Sequence, residues 1–84
     1  MNEEALRKVL TVFLIPKYPG IQEVRVQVSN ELAMLTTYKV YVGLTYSEME
    51  KYKPQDIRET IRELSKYVLS PYEMLDIVFF DPYF

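Results

Sequence analysis

The side chains best suited to acid–base work are carboxylates, and two close pairs stand out along the chain: Glu48 with Glu50, and Asp76 with Asp81. Such a pair catalyses only when its surroundings push the two pKa values apart, and neither pair has a neighbouring residue type that would do so. The 84 residues include no histidine and no cysteine, which removes imidazole bases, thiolate nucleophiles and the usual zinc and iron ligands. Gly20 and Gly43 are the two glycines, too few for a phosphate-cradling loop or a dinucleotide fingerprint. The sequence therefore predicts no catalytic residue, no metal, no bound cofactor and no small-molecule substrate: a non-enzymatic protein.

Aromatic residues are the abundant resource. Eight tyrosines and four phenylalanines accompany a complete lack of tryptophan. Tyrosine joins a large, fairly rigid apolar ring to a polar tip, which suits partly wet protein contacts, and aromatics are enriched among interface hot spots. Some tyrosines must complete so small a core, and Tyr38 and Tyr67 are assigned that role. Arg58, Arg62 and Lys66 form a basic stripe at helical spacing beside Glu59 and Glu63, and read as a solvated face with pairs from Glu59 to Arg62 and from Glu63 to Lys66.

The formal charge of -2 gives no pull toward nucleic acid or an anionic membrane. The apolar run from Val9 to Ile15 is well short of the roughly 20 residues that span a bilayer. Its acidic flank and Pro16 make a poor secretory signal, so a cytoplasmic or virion location is expected.

These residues need elements to position them. Leu6, Val9, Leu10, Phe13 and Leu14 predict an amphipathic helix over residues 3–15, stopped by Pro16, with Glu3 and Glu4 favouring its positive end. Alternation over residues 22–29 predicts a strand with Val24, Val26 and Val28 on one face. Ser29-Asn30-Glu31 reads as the following turn, with residues 32–35 available for pairing near the hairpin tip. A second strand places Tyr38, Val40, Val42 and Leu44 on one face and Lys39, Tyr41 and Gly43 on the other. Residues 45–53 read as a loop with room for one turn of helix, which Ser47 and Glu50, at capping-box spacing, could start. Pro54 opens a second helix with Ile57, Ile61, Leu64 and Val68 as its stripe, ended by Ser70 and Pro71. Residues 74–80 form a last strand, Leu75, Ile77 and Phe79 facing one way and Asp76, Val78 and Phe80 the other.

The expected architecture is an α+β fold, αββαβ, over residues 1–84 as one domain: a three-stranded mixed sheet of order 1-2-3 with both helices on one face. The element order resembles the compact helix-strand-strand-helix-strand modules that build rings in secretion systems, and a ferredoxin-like fold lacking its first strand. KH domains share this order, but their GXXG clamp is missing here.

With both helices on one face, Arg25, Gln27, Lys39, Tyr41, Val78 and Phe80 occupy the bare one, and the aromatics Tyr18, Tyr46, Tyr52, Tyr83 and Phe84 share one rim. Exposed apolar patches and open sheet edges mark protein contacts. The expected partner-binding set is thus Tyr41, Val78, Phe80, Tyr83, Phe84, Tyr18, Tyr46 and Tyr52. The expected function is a protein–protein module, a small subunit of a homo-oligomer or larger assembly, with a viral structural or accessory protein as one setting. Two further readings stand beside it: an acidic inhibitor of a nucleic-acid enzyme, using Glu48, Glu50, Asp76 and Asp81 in place of phosphates, and a weak single-stranded nucleic-acid binder using the open face.

Overall fold

A computed structural model describes residues 2–32 and 35–83. Its elements are α1 (Asn2–Lys17), β1 (Ile21–Leu32), β2 (Leu35–Leu44), α2 (Tyr46–Lys51), α3 (Pro54–Ser65) and β3 (Glu73–Phe80). The sheet order is β1-β2-β3, β1 antiparallel to β2 and β2 parallel to β3. Helices α1 and α3 pack together over one face, as the apolar stripes require. The α+β class and the 1-2-3 mixed sheet agree with the sequence reading. The α2–α3 crossover is what makes β3 run parallel to β2.

The core joins Leu6, Leu10 and Leu14 of α1 to Ile57 and Ile61 of α3. Below them lie Ile21, Val24 and Val26 of β1 and Tyr38, Val40, Val42 and Leu44 of β2. Leu75, Ile77 and Phe79 of β3 are half-buried against this cluster, and the Arg58 guanidinium lies 5.2 Å from the Phe79 ring centre. Arg58 therefore covers the edge of the core and is not part of a free basic stripe. Lys66 pairs with Glu63 at 2.9 Å as expected, while Glu59 accepts a 3.5 Å hydrogen bond from Gln55.

Several boundaries differ from the sequence reading, each for a local reason. Helix α1 does not stop at Pro16 but runs through it to Lys17, and the Tyr18 N–H still donates to the Leu14 carbonyl at 3.0 Å. Proline removes only the bond to Val12, which sits on the exposed side where water can serve its carbonyl. The α1 stripe is narrower than predicted: Leu6, Leu10 and Leu14 are fully buried, but Val9 is half-buried and Phe13 is 59% exposed.

Ser29-Asn30-Glu31 is not a turn; it lies inside β1, and Leu32 pairs with Leu35. The ladder tolerates this through two irregularities, between Ile21 and Glu23 and between Val28 and Asn30. At the first, Gln22 is an extra residue, so Ile21 and Val24 both face the core although strict alternation would separate them.

The turn of helix allowed within residues 45–53 is α2, six residues long, and its N-cap is Thr45 and not Ser47. The Thr45 hydroxyl accepts from the Glu48 N–H at 3.3 Å. Helix α3 ends at Ser65, not at Ser70, and Val68 packs on the core from the turn that follows. No helix among the described residues is long and apolar enough to cross a membrane.

Candidate functional site

Alternation along three paired strands lays out the sheet face that the helices leave uncovered. Three ranks cross it: Glu23, Gly43 and Phe80; Arg25, Tyr41 and Val78; Gln27, Lys39 and Asp76. The predicted Tyr41, Val78 and Phe80 are thus adjacent. The Tyr41 and Phe80 rings meet edge to face with centres 6.5 Å apart. Arg25 bridges them, its guanidinium 5.1 Å from the Phe80 ring centre and 5.8 Å from that of Tyr41, while reaching Glu23 at 3.5 Å. Lys39 approaches Tyr41 at 5.7 Å. Cations on ring faces contribute roughly 0.5–1 kcal/mol at exposed sites. A nucleic-acid base stacking on Tyr41 would have to displace them.

Gly43 explains how Phe80 lies. A Cβ on Gly43 would come within 2.9 Å of Glu23 Cγ and 3.2 Å of Phe80 Cζ, so the phenylalanine ring rests over bare backbone. Phe80 and Val78 are consequently half-buried rather than open. Two residues that the sequence reading passed over extend the face: Leu35, 51% exposed, at the hairpin end of β2, and Met74, 57% exposed, at the start of β3. Met74 shares the parity of Val78 and Phe80 within the predicted strand, and Leu35 joins the face once β2 is extended by a few residues.

The tyrosine rim separates into two groups. Tyr18 and Tyr52 are half-buried on the helical side, their rings T-shaped at 5.4 Å, and the Tyr18 hydroxyl lies 3.1 Å from the Thr60 hydroxyl. They complete the core and do not join a contact surface with Tyr83. Tyr46 and Tyr83 are exposed, and Asp81 ties them together by accepting from the Tyr46 N–H at 3.1 Å and the Tyr83 N–H at 2.9 Å. The Tyr83 hydroxyl also donates to Gln22 Oε1 at 3.3 Å. Phe84 lies outside the described residues. Of the two tyrosines assigned to the core, Tyr38 is buried, but Tyr67 is 86% exposed just beyond α3.

The carboxylates of each pair have different surroundings. Glu48 folds inward against Gly20, where a Cβ would collide with its side chain, and its Oε2 is buried without a hydrogen-bond partner among the described residues; Glu50 points outward. Asp81 is engaged by backbone amides and Asp76 is exposed beside Lys39 in the strand register. Among the described residues no group of three or more potential metal ligands converges.

The two sheet edges differ. Strand β1 carries charges, Glu23 and Arg25, and two register irregularities, all of which discourage pairing with another chain. Strand β3 carries Glu73 and Asp76 in its first half, but it pairs with β2 without any irregularity over eight residues, and its last four, Ile77 to Phe80, carry no charge. No protein-family model, no curated protein and no solved structure matches this chain.

Proposed function

We propose that this chain is a non-enzymatic protein–protein interaction module, a small subunit of a homo-oligomer or a larger assembly, and that β3 and the uncovered sheet face form its contact surface. The observation that carries the reading is the unguarded edge of β3. It is regular and ends in the uncharged run Ile77-Val78-Phe79-Phe80, which puts Val78 and Phe80 side by side on the uncovered face, with Asp76 separating them from Met74. Unpaired backbone groups beside apolar side chains form a template for another strand, which natural proteins cover or blunt. A partner strand laid along β3 would satisfy those groups and bury the exposed methionine. Setting such a subunit in a virion or a cellular complex is part of the same proposal. The inward-turned Glu48 and the amide-bound Asp81 weigh against phosphate mimicry.

The test is molar mass by light scattering across a concentration series, for the wild type and for the double variant V78S/F80S, with circular dichroism confirming that both fold. The wild type should rise above its 10.0 kDa monomer mass while the variant stays monomeric. A wild type that is monomeric up to millimolar concentration sinks self-assembly.

A further inference from the structure

On the opposite side of the molecule from the uncovered sheet face, α1 and the end of α3 enclose a groove. Two adjoining hollows of about 750 and 480 Å³ share Phe13, Leu64 and Tyr67 as lining residues. Val9 adds to the apolar end, while Asp56, Glu59 and Glu63 line the other, facing the single ammonium of Lys17. Phe13 and Tyr67 are 59% and 86% exposed, which is unusual for large side chains beside a core. Leu64 is held half-buried between them.

We infer that this groove docks a basic amphipathic helix of a partner protein. Along α3 and, apart from the Val12 carbonyl opposite Pro16, along α1 the wall backbone is bonded within its own helix, so the groove offers no ladder to an extended peptide. An occupant must satisfy its own backbone, and a helix does so. The acidic residues sit at i, i+3 and i+7 on α3, one face of the helix, and lead from the acidic end of the groove toward Leu64 at its apolar end. From Asp56 to the end of α3 at Ser65 the wall runs about 14 Å at 1.5 Å per residue, room for two to three turns of an occupant. Apolar side chains at i, i+3 and i+7 meet Phe13, Leu64 and Tyr67, and lysines or arginines flanking them meet the carboxylates. Glu63 exchanges its exposed partner Lys66 at little cost, since surface pairs are weak. A second copy of this chain fits less well, because a two-fold contact here would set one acidic row against the other.

This inference does not depend on the β3 reading. The probe is a fluorescein-labelled 15-residue peptide of leucine and lysine at helical spacing, with a leucine–glutamate counterpart, followed by fluorescence polarisation. The lysine peptide should bind at least tenfold more tightly than the glutamate peptide. F13S/Y67S should weaken it at least tenfold, E59K/E63K should reverse the preference, and V78S/F80S should leave it unchanged, all with wild-type circular dichroism. Equal binding to every variant, loss only in V78S/F80S, or no binding at millimolar peptide would overturn the inference. So would light scattering that shows F13S/Y67S abolishing self-association, since a second copy would then be the occupant.

Discussion

Replacing Tyr38 with phenylalanine removes one oxygen from a contact that fastens β2 to the start of β3. Tyr38 is 6% exposed, and its hydroxyl donates to Glu73 Oε2 at 2.6 Å; the other carboxylate oxygen of Glu73 accepts from the Ser70 N–H at 2.8 Å. Glu73 thus ties the strand to the turn that precedes it. A hydrogen bond to a charged group contributes about 1.5–3 kcal/mol. Glu73 is only half-buried, so water can reach the carboxylate in the variant and the cost falls toward the lower end, about 1.5–2 kcal/mol. For a domain of this size that lowers Tm by roughly 6–16 °C. In urea, with a slope near 1 kcal/mol per molar, it moves the midpoint down by about 1.5–2 M. The double variant Tyr38→Phe with Glu73→Gln should lose less than the sum of the two single changes, because the first already removes part of what the second weakens. A loss below about 0.5 kcal/mol for Y38F, or strict additivity in the cycle, would refute the reasoning.

Gly43→Val places a branched side chain where Phe80 and Glu23 now lie and should destabilise by about 1–2 kcal/mol in urea titration, with the loss relieved only in part in an F80A background because Glu23 Cγ is the closer neighbour. Arg7 holds the Glu4 carboxyl below the usual glutamate range, chiefly through their side-chain hydrogen bond. With the folded-state pKa depressed, any stability from this pair is present above the unfolded value and lost as pH falls through the folded one. Carbon-detected NMR titration should show a low Glu4 midpoint that returns to the ordinary range in Arg7→Gln.

The strict periodicities were legible in the sequence: Tyr38, Val40, Val42 and Leu44 are buried as their alternation requires, and Ile57 and Ile61 as their four-residue spacing requires. Strand pairing and the 1-2-3 order followed from the crossover rule. What periodicity could not reveal was where a pattern is interrupted. Ile21 reaches the core only because Gln22 bulges, and residues 29–31 stay in β1 only because the ladder absorbs another shift. Phe13 and Tyr67 show a different failure. Hydrophobicity alone assigned them inward, but α1 turns only the Leu6-Leu10-Leu14 line to the core, leaving Phe13 beside a groove. At the candidate surface, the cluster of Tyr41, Val78 and Phe80 was visible from parity, whereas the separation of Tyr18 and Tyr52 from Tyr83 needed the side-chain contacts.

The parallel pairing of β2 with β3 also has a kinetic side. The β1–β2 hairpin closes through neighbouring residues, but every rung from Thr36–Glu73 to Gly43–Phe80 must close a loop holding all of α2 and α3. Loop closure of that length is unfavourable until the contacts form, so β3 docks late and leaves first. Amide exchange should show β3 less protected than β1 and β2; equal protection would contradict this order. In each opening event β2 presents a bare parallel edge that accepts β3 from any copy of the chain. Strand exchange between molecules is therefore an expected consequence of the topology, and an interlocked dimer is the species to look for at high concentration.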